Sequence, residues 1–416
     1  LLGVILIFFK DELSDTDVST APTVGMDFSF DDGDIAASYD ESDVVSVIQG
    51  DPISAFPSED ECSEDISEAI SEESDASYED SSYPDTDSSV ADTPSEPEDS
   101  SVADTPSEPE DSSVADTSSK PEDSSVADTP SKPEDSSVAD TPSEPEDSSV
   151  AEDSSEEVPP SPAEDIYITT AGRHELKGAF TNRMIIVEVA ATEKVQLVLK
   201  GVVINNANGP AIVVKEADKV TITGFDGTEN YISDGNAYTL TSGTTNVDAA
   251  IFSLADMTIN GTGKLTVKGN KQHGVVSKDR VVVSECTLNI SSKGIALNGK
   301  DYVKIKNGAI TINSGDDGIT SDNTENAAKG YIYIEGGTIN VTAVHDGIQA
   351  ETVLKSDVAS ITVKSGGGGS VALGTETAES YKGLKAVSDI LISGGSYNIS
   401  SRDDCIHSNG TISITG

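Results

Sequence analysis

One short acidic motif recurs through the C-terminal half of the chain, and it limits the possible folds more than any other feature. The clearest copy is Ser314-Gly-Asp-Asp-Gly-Ile-Thr-Ser321, and partial copies lie on both sides of it. Aligned on the second glycine, or on Cys405 in the last copy, the motif falls at positions 274, 294, 318, 347, 383 and 405, at intervals of 20, 24, 29, 36 and 22 residues. A sub-motif that returns every twenty-odd residues predicts a solenoid of stacked coils.

The sequence between the motif copies predicts β-strands. From Ile166 onward, short runs such as residues 195–199, 287–290 and 339–342 alternate apolar with polar residues and are bounded by Asn-Gly or Gly-Gly turns. Two or three such strands fit into each interval between motif copies. We therefore predict an all-β domain over residues 166–416, a right-handed, single-stranded parallel β-helix in which like residues stack coil on coil. A β-sandwich is the alternative, but it does not need the same motif at the same corner of every repeat.

The charge of the chain lies almost entirely before this domain. Of the formal net charge of −50, residues 1–165 contribute −46, from three basic residues against 49 acidic ones, and the remainder contributes −4. Neither half has the positive surface that nucleic acid requires, so no nucleic-acid partner is expected. A monomer is expected.

The N-terminal segments predict a location outside the cytoplasm. Residues 1–10 begin with a nine-residue apolar run, which is shorter than the roughly 20 residues that span a bilayer. We expect it to be the truncated end of a hydrophobic signal or anchor segment, with an uncleaved anchor favoured because no small-x-small cleavage site follows. The protein is then cell-surface anchored or secreted, and this segment is its expected contact with a membrane.

The two segments that follow are predicted to be unfolded. Residues 11–87 are acidic and mostly disordered by composition, with weak apolar patches at residues 26–30 and 44–48 that leave room for a short docking element. Residues 88–165 form a linker that contains five copies of a twelve-residue Ser/Pro/Glu/Asp repeat. Regular proline and like-charge repulsion keep such a repeat extended, so we interpret it as a stalk. The chain stops within a further strand at residues 412–416, so the β-helix is expected to be C-terminally truncated.

The acids of the motif copies are predicted to share one corner of the solenoid. Coils stack about 4.8 Å apart, and two carboxylates at about that distance repel by about 1 kcal/mol in water and by several times that where water is partly excluded. A cation between them relieves this repulsion, and side-chain and turn oxygens suit Ca²⁺. The predicted calcium ligands are Asp316, Asp317, Asp346, Glu351, Asp403 and Asp404.

The alternative explanation is ordinary turn chemistry, because Asp-Gly is common in turns where the aspartate caps its own backbone. Doubled acids at matched positions favour the metal. His273, Lys293 and Lys382 replace the acid in other copies, where no such site is expected. The histidines are scattered, and none is assigned to a metal.

Several motifs together resemble those of a known family. They are Gly209-Pro-Ala-Ile212, Asp226-Gly-Thr-Glu-Asn-Tyr231, Ala249-Ala-Ile-Phe252, Ile259-Asn-Gly-Thr-Gly263, Ser314-Gly-Asp-Asp-Gly-Ile319, Gly330-Tyr-Ile-Tyr-Ile-Glu-Gly-Gly337, Asp346-Gly-Ile-Gln-Ala350, Lys382-Gly-Leu-Lys-Ala386 and Asp403-Asp-Cys-Ile-His-Ser408. Over roughly residues 190–416 the chain resembles secreted bacterial carbohydrate-binding β-helices of the polysaccharide-lyase-like fold, which bind calcium and polygalacturonate or cellulose. The resemblance implies calcium-dependent, non-catalytic binding of an acidic plant-cell-wall polysaccharide of the pectin type.

Two other functions stay open. A calcium-dependent polysaccharide lyase pairs its metal with a Lys or Arg base, and Lys382, Lys385 and Arg402 are the candidates; in a protein that only binds, the same three are the predicted substrate-binding residues. A non-catalytic adhesin or spacer, stiffened by calcium, is the third function. The chain has no Trp, which disfavours stacking on neutral sugars and favours uronates bridged by calcium. A polygalacturonase is disfavoured because neither Gly-His-Gly nor Arg-Ile-Lys follows Asp317.

Overall fold

The computed structural model describes residues 4–8, 44–57, 164–239, 246–372 and 379–416, and every regular element in these ranges is a β-strand. In none of them is there a helix with the length and hydropathy that a bilayer crossing requires. Most of the acidic stalk predicted before residue 166 lies outside the described residues. The strands are β1 (Val4–Phe8), β2 (Val44–Gln49), β3 (Ile166–Ile168), β4 (Gly172–Thr181), β5 (Ile185–Glu188), β6 (Lys194–Asn205), β7 (Ile212–Glu216), β8 (Lys219–Gly224), β9 (Glu229–Ser233), β10 (Ala249–Ser253), β11 (Asp256–Asn260), β12 (Lys264–Gly269), β13 (His273–Ser277), β14 (Arg280–Ser284), β15 (Cys286–Ser292), β16 (Leu297–Gly299), β17 (Tyr302–Ile305), β18 (Gly308–Ser314), β19 (Ile319–Ser321), β20 (Tyr331–Ile334), β21 (Thr338–Ala343), β22 (Ile348–Ala350), β23 (Val353–Ser356), β24 (Ser360–Ser365), β25 (Leu384–Ala386), β26 (Asp389–Ser393), β27 (Ser396–Ser401), β28 (Ile406–Ser408) and β29 (Ile412–Thr415).

The strands stack in parallel along three faces. A short-strand face runs from β3 through β5, β7 and β10 to β28. A second face contains β8, β11, β14, β17, β20, β23, β26 and β29, and a third contains β9, β12, β15, β18, β21, β24 and β27. The long strand β6 pairs with both β8 and β9 and so joins the last two faces. Each coil therefore contributes one strand to each face, which confirms the predicted parallel β-helix.

Columns of aliphatic side chains fill the interior. Along every strand the inward residue pairs with an inward residue on the next coil, as Leu288 does with Ile310 and Ile310 with Ile339. Each fully buried side chain of this size contributes roughly 1.5–3 kcal/mol to folding. One column on each face, aliphatic apart from Met257 and Tyr397, is almost completely buried: Ile212, Ile251, Val275, Leu297, Ile319, Ile348 and Leu384; Val220, Met257, Val281, Val303, Ile332, Leu354 and Ile390; Leu265, Leu288, Ile310, Ile339, Ile361 and Tyr397.

Two strands from the N-terminal segments join the β-helix. β2 pairs in parallel with β4, and its residues alternate between half-buried and exposed. It coincides with the apolar patch at residues 44–48, which the sequence analysis gave as a possible short docking element. β1, within the segment interpreted as a signal or anchor, pairs antiparallel with β27.

The register corrects one alignment made from the sequence. Leu297 pairs with Ile319 and with Val275, so the residue equivalent to Gly318 is Ala296 and not Gly294. The equivalent positions are 274, 296, 318, 347, 383 and 405, and the first two intervals are 22 residues each. Lys293 therefore does not replace an acid of the motif. Gly294 misled the sequence alignment because the equivalent position, two residues later, is an alanine.

Close packing between coils explains the motif glycine. A Cβ on Gly347 would lie 2.3 Å from Val363 Cγ1 and 2.5 Å from the carbonyl oxygen of Gly383. A Cβ on Gly318 or Gly383 would likewise meet an aliphatic side chain and the carbonyl oxygen of the equivalent residue in the next motif copy. The glycine thus lets each turn approach both the third face and the next coil, and Cys405 holds the equivalent position in the last copy.

Candidate functional site

The acidic motif occupies the turn between the third face and the short-strand face. Each strand of the third face ends just before the motif, and the next short strand begins just after it. Backbone hydrogen bonds between successive turns, such as Gly318 N to Asp346 O (2.9 Å) and Gly347 N to Lys382 O (2.8 Å), hold the turns in register. This corner contains two columns of side chains, one of Asp317, Asp346, Lys382 and Asp404 and one of Asp316, His345, Tyr381 and Asp403.

Asp316 is paired with a histidine on the next coil. His345 Nδ1 lies 2.7 Å from Asp316 Oδ1, and His345 Nε2 lies 3.9 Å from a carboxylate oxygen of Glu379. Burial by itself lowers the pKa of His345, but the hydrogen bond to Asp316 and the charges of Asp316, Asp317 and Glu379 outweigh it and raise the pKa to about 9. Burial favours protonated Asp316, yet His345 lowers the pKa of that carboxyl. The imidazolium at neutral pH therefore compensates Asp316.

Asp346 is the most deeply buried acid of the corner, with 1% of its side chain exposed, and it forms an ion pair. Its Oδ2 lies 3.1 Å from Lys385 Nζ, and its Oδ1 accepts a hydrogen bond of 2.5 Å from the backbone N–H of Lys382. A buried carboxylate needs such compensation because desolvation of an unpaired charge is costly.

The last two aspartates are also paired. Asp403 lies 3.2 Å from Lys382 Nζ, and Asp404 lies 3.0 Å from His407 Nδ1. Lys382 stands between Asp346 and Asp404 in the first column, so a cationic side chain interrupts the row of acids. The two lysines predicted to bind substrate thus compensate aspartates, and their side chains are only 13% and 14% exposed.

Asp317 is the exception among the five predicted aspartates. In the part of the chain that the structure describes, no lysine, arginine or histidine forms an ion pair with it. Its Oδ1 accepts a hydrogen bond of 2.8 Å from the backbone N–H of Asp346. Burial, followed by the charges of Asp346 and Asp316, raises its pKa well above the usual range. A carboxyl in this position gains either a proton or a cation.

The side chain of Gln349 joins Asp317 to Asp346. One end of its amide lies 3.2 Å from Asp317 Oδ2 and 3.0 Å from Asp346 Oδ2. With the amide nitrogen at this end, it donates a hydrogen bond to each carboxylate. With the amide oxygen there, it would join one oxygen of each carboxylate as a donor of the kind that Ca²⁺ prefers.

A second grouping of possible metal ligands overlaps the first. One ligand atom from each of Asp316, Asp317 and His345 lies within 4.8 Å of the others. An imidazole ligand suits Zn²⁺ or another transition metal better than Ca²⁺, and the raised pKa of His345 disfavours the neutral form that ligation needs. The oxygen donors of Asp317, Asp346 and Gln349 therefore fit calcium better.

Of the two remaining predicted site residues, Glu351 lies apart from this cluster and Arg402 lies at the same corner. Glu351 follows β22, whereas Asp346 precedes it, and five residues of extended chain span about 16 Å. Arg402 is at the corner, with its guanidinium carbon 4.5 Å from the centre of the Tyr381 ring and its Nε 3.2 Å from the carbonyl oxygen of Ala372. The structure thus brings the five aspartates, Lys382, Lys385 and Arg402 to one corner and leaves Glu351 away from Asp317.

Two residues of the site were missed in the sequence. His345 occupies the position equivalent to Asp316, and alignment of Ala343-Val-His-Asp-Gly with Ser314-Gly-Asp-Asp-Gly would have shown this. Gln349 points to the same side of β22 as the corner, but the sequence offered no signal for it beyond its place two residues after Gly347.

Comparisons with known proteins find a family model, a relative and a solved structure that are similar to this chain. A family model described as "Carbohydrate-binding domain-containing protein" matches residues 163–416. A relative of the same description from Acetivibrio thermocellus is 32% identical over 129 residues, which are 31% of this chain and 45% of that protein. The chain thus spans less than half the length of this relative. A solved structure titled as the polysaccharide lyase-like protein from C. thermocellum, gadolinium derivative, is similar with a TM-score of 0.49 and 30% identity, over 55% of this chain and 88% of that one.

Proposed function

Because this chain belongs to the carbohydrate-binding domain family, we propose that it binds an acidic polysaccharide of the pectin type through a calcium ion held at Asp317. The observation that carries this proposal is the unequal pairing of the corner. Asp316, Asp346, Asp403 and Asp404 each have a cationic or histidine partner, and Asp317 has none in the described part of the chain.

The donor set at Asp317 supports a cation. Asp317 Oδ2, Asp346 Oδ2 and the Gln349 amide lie close enough together for all three to hold one ion. Bound calcium would supply a positive charge shared between the protein and a carboxylate of the ligand. Lys385 stays beside Asp346 and limits the negative charge of the site, so the ion retains attraction for a further anionic ligand.

A uronate-containing polysaccharide suits this corner better than a neutral one, because its carboxylates can interact with the charged groups there. Arg402 stacks on Tyr381 within the same corner, and a guanidinium in this position can form a paired hydrogen bond with a carboxylate. Lys382 and Lys385 act on the ligand indirectly, through their ion pairs with Asp403 and Asp346, which hold these side chains in place.

The N-terminal composition supports presentation of the domain from the cell surface. The tandem repeat over residues 88–147 places proline and acidic residues at regular intervals, which suits a spacer. The hydrophobic run within residues 1–10 would mark the attachment or export signal. Protease treatment of whole cells that carry the full chain tests this presentation. The polysaccharide-binding fragment should then be recovered in the medium.

A retention assay tests the proposed function. The full chain is incubated with immobilised polygalacturonate in calcium and in a chelator, and wild type is compared with Asp317→Asn. We expect retention in calcium, loss of retention in chelator, and loss in Asp317→Asn. Asp322→Asn is the matched control because Asp322 is exposed on the loop between β19 and β20. Retention that is unchanged by chelator or by Asp317→Asn contradicts the proposal, and accumulation of unsaturated uronate product would identify a lyase instead.

A further inference from the structure

The outer surface of the third face consists almost entirely of uncharged polar residues. On β15, β18, β21, β24 and β27 the outward residues form three columns in register. Among the fifteen outward residues on these five strands, one is charged, Lys364, and the others are Thr, Ser, Asn and one Ala. We call this surface the hydroxyl–amide face. Its columns are Thr287, Ala309, Thr338, Ser360 and Ser396; Asn289, Thr311, Asn340, Thr362 and Asn398; and Ser291, Asn313, Thr342, Lys364 and Ser400.

The middle column is open to solvent. Thr311, Asn340, Thr362 and Asn398 are exposed, and Asn289 is half-buried. Within the described ranges, the side chains of these five residues make no hydrogen bond or ion pair with the protein. Their donors and acceptors are therefore available to a ligand.

The geometry of the column suits an extended chain. Equivalent side chains repeat about every 4.8 Å along the coil axis, and neighbouring columns are about 6.6 Å apart along the strands. Five coils give a flat strip about 19 Å long. A polymer with regularly repeated hydroxyl groups can meet the same hydrogen-bonding group on each coil, whereas an apolar partner would leave the Thr and Asn groups unsatisfied.

The strip also adjoins the candidate calcium site. Asn313 on β18 is three residues before Asp316, and Thr342 on β21 is three residues before His345. Ser314 Oγ donates a hydrogen bond of 3.0 Å to the backbone oxygen of Asp316, which fixes the end of the strand against the corner. A ligand that lies on the strip therefore runs beside the corner.

We propose that the hydroxyl–amide face binds the sugar hydroxyl groups of the polysaccharide, which lies along the coil axis while its carboxylates reach the corner at Asp317. This inference rests on the proposed function and adds to it the surface that holds the sugar chain. The face supplies neutral hydrogen bonds, and the corner supplies the attraction for charge. Such a division predicts that loss of the face weakens binding without altering calcium affinity.

Two variants of the full chain test the face. Thr311→Ala/Asn340→Ala/Thr362→Ala removes the hydrogen-bonding groups at the centre of the strip, and we expect the dissociation constant for polygalacturonate in calcium to rise about tenfold or more. Thr362→Glu puts a negative charge on the strip and should weaken binding of the polyanion to a similar degree. Thr324→Glu is its matched control, because Thr324 is exposed on the loop between β19 and β20. Melting temperature and calcium affinity, measured on the same samples, should equal those of wild type.

The outcomes separate the two proposals. If wild type binds polygalacturonate only with calcium and the triple variant and Thr362→Glu bind as wild type does, the face is not the binding surface, and the proposed function stands. If wild type fails to bind, both proposals fall. A dimer of wild type that the triple variant dissociates would assign the face to a second copy and overturn the inference. Weaker binding by both face variants, with Thr324→Glu unchanged, supports it.

Discussion

The ion pair between Asp346 and Lys385 gives the sharpest prediction about the corner. Lys385→Met keeps most of the side-chain volume and removes the charge 3.1 Å from Asp346 Oδ2. At an effective dielectric constant of about 20, two unit charges at this distance attract by about 5 kcal/mol. Removal of one partner from a buried pair costs about 3–5 kcal/mol, because the remaining charge is left without compensation.

Asp346 keeps two hydrogen bonds in this variant, so the expected loss of folding free energy is at the lower end of that range. Asp346 retains the backbone N–H of Lys382 on Oδ1 and the Gln349 amide on Oδ2. We therefore expect Lys385→Met to lower the free energy of unfolding by about 3 kcal/mol in chelator, which corresponds to a fall in melting temperature of roughly 6–12 °C for a domain of this size. Calcium should restore part of this loss, since an ion at Asp317 and Asp346 replaces the missing charge.

Urea unfolding followed by circular dichroism, in chelator and in calcium, measures both effects. Lys364→Met is the matched control, because Lys364 is exposed on β24. A loss below about 0.5 kcal/mol for Lys385→Met, the size expected of a surface substitution, would refute the claim that Asp346 depends on this lysine. An equal calcium effect on wild type and variant would show that the ion does not contact Asp346.

Two further predictions concern the scaffold. Gly347→Ala should destabilise the β-helix by about 1–3 kcal/mol in the same urea assay, because the new Cβ would lie 2.3 Å from Val363 Cγ1 and 2.5 Å from the Gly383 carbonyl oxygen; an unchanged midpoint would contradict the close packing of the coils. Burial, followed by the hydrogen bond and charge of Asp301, raises the pKa of Asp279 to about 6, so this carboxyl binds its proton more tightly in the folded state and stability falls as pH rises from the ordinary pKa toward 6. Asp279→Asn should remove this loss and melt at a higher temperature than wild type at pH 7, with a smaller difference near pH 4; a constant difference across that range would show that Asp279 does not titrate as described.

The fold could be predicted because its cause is repeated in the sequence. Alternating strands and one corner motif recur often enough to define stacked coils, and the aliphatic columns such as Leu288, Ile310 and Ile339 follow from that pattern. The exact register could not be obtained at Gly294, where the structure places Ala296 instead. The glycine pattern favoured residue 294, and the pairing between coils shows that the equivalent residue is 296.

The site could be predicted only in part. Ion pairs between coils depend on how the loops place the side chains, and the sequence pattern does not contain this information. The aspartates were correctly predicted to share an edge. Their individual pairing with Lys385, Lys382 and His345 was not predicted, since each pair joins two different coils. The sequence suggested a row of similar acids, whereas the structure singles out Asp317.

Calcium titration by calorimetry is the most direct test of this distinction. With the full chain at low protein concentration, we expect one tightly bound ion in wild type and none in Asp317→Asn, while Asp322→Asn binds as wild type does. Weak additional binding that disappears at higher salt would belong to exposed acidic groups. Tight binding that persists in Asp317→Asn, or several equivalent tight ions in wild type, would contradict the conclusion that a single uncompensated carboxylate creates the site.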